Sequence, residues 1–144
     1  MARLEIRPLV SDDRAAWEPL WRGYQAFYQV DLGDAVTDTT WRRFLDPAEP
    51  MHALGAFDGG RLVGIVHYIF HRSGWLIAPT TYLQDLFADP DSRGQGVGRA
   101  LIEAVYAAAR ARGSQRVYWL THESNATARQ LYDRIAAGGT RMHV

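Results

Sequence analysis

Hydrophobic positions along this chain fall into short alternating or continuous runs, broken by longer stretches with three- and four-residue spacing. Residues 2–9 alternate loosely, Leu4 and Ile6 against Arg3, Glu5 and Arg7, and predict a first strand. Ser11-Asp12-Asp13 then opens a helix, because acidic residues in a first turn are favoured by its dipole. Trp17, Leu20, Trp21, Tyr24, Phe27 and Tyr28 recur at helical spacing, an aromatic stripe that reads as packing against a sheet. The stripe runs into an acidic loop over residues 28–34. A second short helix is predicted for residues 39–45, after which Pro47 and Pro50 break it.

Residues 51–57 read as a second strand, Asp58-Gly59-Gly60 as a hairpin turn, and residues 61–71 as a third strand. Ser73-Gly74 and Pro79 bound a short excursion before a fourth strand over residues 82–88. Val97, Leu101, Ala104, Val105 and Ala108 then share one face of a long amphipathic helix, which Gly113 ends. Residues 116–121, RVYWLT, are rich in strand-favouring types and predict a fifth strand. Ser124-Asn125 starts a last helix with Ala128, Leu131, Tyr132 and Ile135 inward, and residues 140–144 read as one further strand.

Composition narrows the classes. A chain of 144 residues is one domain, spanning 1–144, able to bury about two-thirds of its unfolded surface. Hydrophobic residues at 47% and charged residues at 22% are ordinary for a soluble protein. Sixteen basic residues balance sixteen acidic ones, so no overall field draws the chain to nucleic acid or to a membrane. Zero cysteines exclude disulfides, thiolate metal sites and a cysteine nucleophile. MARLEIRPLV lacks the apolar run of a signal peptide, which makes a cytoplasmic location the expectation. His67 and His71 would lie about 13 Å apart on one strand, too far to share a zinc ion. No metal is expected.

The chemistry concentrates between Tyr82 and Arg112. A strand leads into Asp89-Pro90-Asp91, then Arg93-Gly94-Gln95-Gly96-Val97-Gly98, then the long helix. Glycines let a backbone turn with its N–H groups converging, and the positive end of the new helix adds field at the same spot. That is an anion cradle. It is not a Walker loop, because Arg99-Ala100 stands where Lys-Ser or Lys-Thr is needed. It is not a dinucleotide fingerprint either, since the glycines are spaced G-x-G-x-G.

The spelling does resemble the acyl-CoA loop of the GNAT family of N-acetyltransferases, Arg/Gln-x-x-Gly-x-Gly/Ala, with Arg93, Gly96 and Gly98 at the signature positions. A second block, Asn125, Ala128, Leu131 and Tyr132, resembles the family's Asn-x-x-Ala-x-x-Leu/Phe-Tyr helix. YLQDLF resembles the YLEDLF or YLEDFF of the diamine/histone-type branch, with Gln84 where that branch often has Glu. The resemblance implies an α/β (α+β) fold in the order β-α-α-β-β-β-α-β-α-β. That is a mixed, mostly antiparallel sheet of six or seven strands flanked by four helices, with a shortened C-terminus. It implies a seventh strand that is missing, shortened or supplied by a partner chain, and a homodimer.

It also implies acetyl-CoA as co-substrate and direct acetyl transfer to a primary amine, either a small polyamine or amino acid or a protein lysine. The backbone of Arg93, Gly94, Gln95, Gly96, Val97, Gly98 and Arg99 would anchor the pyrophosphate. Amides among Leu86, Phe87 and Ala88 would stabilise charge on the carbonyl oxygen, and Asn125 would contact the pantetheine arm. Tyr132 matches the general acid for the leaving thiolate. Asp85 and Glu123 are the ionisable candidates for the base, although each has a structural alternative: Asp85 as a cap for backbone donors, Glu123 as a helix-start charge. Gln84 can orient a water only. Tyr28 and Asp31 sit at the loop expected to line the acceptor, and Asp31, Asp34 and Glu49 there imply a cationic amine unless they are solvated loop charges. The rival from another class is a non-catalytic acyl-CoA-sensing or partner-binding module of the same fold.

Overall fold

The alternation read from the chain becomes one twisted sheet with helices on both faces. The computed structural model describes residues 4–92 and 94–120. In chain order these form β1 (Leu4–Pro8), α1 (Arg14–Phe27), α2 (Gly33–Leu45), β2 (Met51–Asp58), β3 (Arg61–Ser73), β4 (Leu76–Ala88), α3 (Val97–Ala111) and β5 (Val117–Tyr118). The strands lie in sequence order, β1 to β5. The first three pairings are antiparallel and β4–β5 is parallel. The expected mixed, mostly antiparallel sheet is present, with five strands and three helices among the described residues rather than six or seven and four. The helix predicted after Ser124 and the strand predicted over 140–144 lie outside the described residues.

Two elements begin earlier than the sequence predicts. β4 starts at Leu76, because Ser73 pairs with Leu76 across a tight turn and the two strands run on as one long hairpin. The supposed excursion is therefore strand. Pro79 is tolerated because it sits beside a register irregularity between His71 and Ser73, where no regular ladder bond is lost. α2 starts at Gly33 rather than at residue 39. Gly33 enters it with φ of 81°, and its N–H donates to Asp31 Oδ1 at 3.0 Å.

The two faces of the sheet bury different chemistry. On one, α3 lays Val97, Leu101, Ile102, Val105 and Tyr106 against Val63, Val66, Tyr68 and Leu83. Gly64 permits this contact: a Cβ there would stand 2.4 Å from Val97 Cγ1. On the other, α1 and α2 bring Trp17, Trp21 and Trp41 over Ala53, Phe57 and Ile65. The N-terminal end of α1 is tied down by Asp13, which accepts from Arg7 Nη1 at 2.9 Å and from the Val10 N–H at 2.7 Å.

Candidate functional site

β4 carries the site because its two edges are used differently along its length. Thr81 and Tyr82 pair with Val117 and Tyr118 of β5. From Leu83 onward no described residue pairs with that edge, while β3 follows β4 through to Ala88. In an antiparallel ladder the N–H groups of successive residues point alternately to the two edges. The Asp89 N–H donates to Val63 O at 2.8 Å, which sets the parity. Phe87 and Asp85 therefore turn their amides to β3, whereas Leu86 and Ala88 turn theirs to the opposite edge, where no described residue pairs with them. Of the three amides proposed from sequence, two point away from β3.

A bulge re-aims the side chains just before this point. His67 is opposite Asp85 but its neighbour Tyr68 is opposite Leu83, so Gln84 is an extra residue in β4. Leu83 and Leu86, three apart, consequently both pack on the α3 face. Gln84 is exposed, and Asp85 is turned toward the α1 and α2 side.

Past Ala88 the chain makes the cradle. Asp89 Oδ1 accepts the Asp91 N–H at 3.0 Å, and Pro90–Ser92 form a single 3₁₀ turn. Gly94 and Gly96 then adopt φ of 83° and 79°, left-handed values that disfavour any side chain. α3 begins at Val97 with no side-chain cap and no acidic residue in its first turn. The first helical bond there runs from the Ala100 N–H to Gly96 O, so the N–H groups of Val97, Gly98 and Arg99 precede the ladder. Such uncapped donors suit a diphosphate. Arg99 pairs with Glu103 at 2.9 Å on the exposed side. Arg93, Glu123, Asn125 and Tyr132 lie outside the described residues.

On the α1 and α2 side, an aromatic ladder leads outward from a buried polar chain that the sequence reading did not find. The Trp17 indole N–H donates to His67 Nε2 at 3.0 Å, and His67 Nδ1 lies 2.9 Å from Asp85 Oδ2. His67 is 1% exposed. Trp21 and Phe44 close over its ring, with centroids 5.0 and 4.4 Å away. Trp21 stacks on Tyr24 at 5.6 Å, and Tyr24 reaches Tyr28 at 5.0 Å and Phe87 at 6.4 Å. Burial falls along this series, from Trp17 to the half-buried Tyr28 at the end of α1.

The loop after α1 is held by Gln25, another residue not singled out from sequence. Its buried side chain accepts the Leu32 N–H at 2.9 Å, and its backbone carbonyl accepts the Val30 N–H at 2.9 Å. The loop carboxylates have local partners. Asp31 holds the Gly33 N–H, Asp34 pairs with Arg22 at 3.0 Å, and Glu49 stands 3.9 Å from Arg43. Asp85 is different: its counterpart is an imidazole. Burial, then the nearby Asp85, pushes the Tyr82 phenol above its ordinary range, so it stays protonated at neutral pH.

Residues 16–137 match the Acetyltransferase (GNAT) family. The chain belongs to that family. It is 36% identical over 136 residues to the D-amino-acid N-acetyltransferase HPA3 of Saccharomyces cerevisiae, covering 93% of this chain and 84% of that one. It is also 32% identical over 90 residues to the thialysine N-epsilon-acetyltransferase of Bos taurus, covering 62% of this chain and 52% of that one. Among solved structures, the aminoglycoside N-acetyltransferase AAC(6')-Iy in complex with CoA superposes with a TM-score of 0.82 at 18% identity, covering 100% of this chain and 93% of that one. The last likeness is one of fold. This GNAT chain is an acetyltransferase.

Proposed function

We propose that this GNAT protein transfers the acetyl group of acetyl-CoA directly to a primary amine bound beside it in a ternary complex. The observation that carries this reading is the junction of β4 and α3. Two edge-facing amides, Leu86 and Ala88, lead straight into left-handed glycines and an uncapped helix start. The residues present fit the co-substrate. We assign the amides of Gly94 to Arg99 to the diphosphate and the Leu86 and Ala88 N–H groups to stabilising oxyanion charge.

In the reaction the neutral amine nitrogen attacks the thioester carbonyl, a C–N bond forms and the C–S bond breaks. The sulfur leaves as thiolate and takes a proton, for which Tyr132 is our candidate donor, while the nitrogen releases one. We assign the acceptor to small cationic amines of the amino-acid type. The support is the names of the two curated relatives, which are acetyltransferases of D-amino acids and of thialysine. Isothermal titration with acetyl-CoA tests the first half: saturable binding is expected, and no heat at millimolar ligand contradicts it. Tyr132→Phe should lower turnover near neutral pH with acetyl-CoA affinity nearly intact. An unchanged rate removes Tyr132 from its role.

A further inference from the structure

The buried chain Trp17–His67–Asp85 fixes which ring nitrogen of His67 faces Asp85 with a proton. Trp17 can only donate, so His67 Nε2 must be the acceptor in that 3.0 Å contact and carries no proton. The proton of the neutral ring is then on Nδ1, and it is donated to Asp85 Oδ2 at 2.9 Å. To become imidazolium, His67 would have to break the indole bond inside a cage of Trp17, Trp21 and Phe44, where it is 1% exposed. The broken bond would leave the buried Trp17 N–H without its partner. The pair is thus a hydrogen bond to a neutral ring rather than a salt bridge.

We propose that Trp17 and His67 are positioning residues that hold Asp85 as an unneutralised carboxylate, leaving Oδ1 to receive the ammonium group of a cationic acceptor. This rests on the amine-acceptor reading above and deepens it. Asp85 Oδ2 is occupied by His67, and no described side chain bonds to Oδ1. Asp85 also precedes Leu86, whose amide points away from β3. An amine gathered at Asp85 is therefore one residue along the strand from the proposed carbonyl site, about 3.8 Å between Cα atoms. The loop carboxylates, by contrast, already hold arginines or a backbone N–H.

Two measurements test this on the full chain. Nitrogen-15 spectra of histidine-labelled protein at neutral pH should show one ring with Nδ1 protonated and Nε2 bare, its signals absent from His67→Gln. An Nε2-protonated ring or an imidazolium at that position would overturn the proposal. In steady-state assays with lysine as acceptor, Asp85→Asn should raise the acceptor KM by about 10- to 100-fold, the size of one charge-assisted bond. Trp17→Phe and His67→Met should raise it by about three- to tenfold, with the KM for acetyl-CoA unmoved. His67→Gln, which keeps a donor for Asp85, should recover part of that loss, and it carries the test where Trp17→Phe fails to fold. Equal acceptor KM values across these variants would overturn the proposal. Failure to acetylate any amine would defeat the acetyltransfer reading itself, and the spectra would still decide the tautomer.

Discussion

The two faces of the sheet make an instructive pair. Beneath α3 the contact is mainly aliphatic, with Val97, Leu101, Ile102 and Val105 buried on Val63, Val66 and Leu83, and with Tyr68, Phe70, Tyr106 and Trp119 among them. Beneath α1 and α2 it is aromatic, and the ring nitrogens of two residues, Trp17 and His67, form a chain ending at Asp85. Aliphatic packing serves position: it presses the start of α3, and so the cradle, against β3 at Gly64. Aromatic packing serves chemistry, since an indole contributes bulk and one donor together. Volume should therefore govern the first face and polar satisfaction the second.

Leu101→Ala should break the aliphatic face most severely. It removes a side chain with no exposed area and leaves a cavity, at a cost of about 2–5 kcal/mol. Denaturant melts would read it as a lower midpoint with acetyl-CoA affinity falling in step, whereas Leu101→Met should cost less than about 1.5 kcal/mol. Trp17→Phe keeps most of the volume on the other face but leaves His67 Nε2 without a donor, for about 1–3 kcal/mol. If Trp17→Phe costs no more than Leu101→Met, the contrast between the faces fails.

Gly64→Ala comes next and sharpens the geometric half. The added Cβ meets Val97 Cγ1 at 2.4 Å and Leu101 Cδ1 at 3.1 Å, so α3 must shift, at about 1–3 kcal/mol. Acetyl-CoA affinity should drop beyond what stability explains, because the displaced end is the cradle. An affinity equal to wild type would separate the cradle from this packing.

The smallest effect is expected where α1 is tied down. Asp13→Asn loses the ion pair with Arg7, about 1 kcal/mol. Hydrogen bonding from Arg7, assisted by the Val10 N–H and opposed by burial, holds the Asp13 carboxyl below its ordinary range. The stabilisation is thus complete above the unfolded value near pH 4 and disappears as pH falls through the lowered folded value. Melting curves of the two proteins should differ at pH 7 and converge in strong acid. A gap that widens in acid would contradict the assignment.

Much of the frame was legible because local signals agreed with it. The hairpin at Asp58-Gly59-Gly60 and the strand–glycine–helix passage each lie within one stretch of chain, and the structure places them as read, whereas the stripe of α1 is buried at Trp17, Leu20 and Trp21 and runs out to an exposed Phe27. β4 was misread at its start because Ser73, Gly74 and Pro79 are turn formers by type. Their conformation is fixed by pairing with β3, which sequence does not display. α2 was shortened because only Thr37 and Trp41 are buried along it, too thin a stripe to mark its beginning. The Trp17–His67 bond joins residues 50 apart in sequence. Its trace was a lone histidine inside LVGIVHYIF, an apolar run in which a polar group needs a partner. The bulge at Gln84 was likewise hidden, since it exists only relative to β3.

Acetyl transfer from acetyl-CoA to a cationic amine at the β4–α3 junction is the proposed reaction. The most direct measurement is thiol release from acetyl-CoA across a panel of cationic, neutral and anionic primary amines, with acetylated product identified by mass. We expect saturable release with cationic amino acids or small polyamines, well above hydrolysis. Binding of acetyl-CoA without amine-dependent release from any acceptor would contradict the account and favour a sensing module.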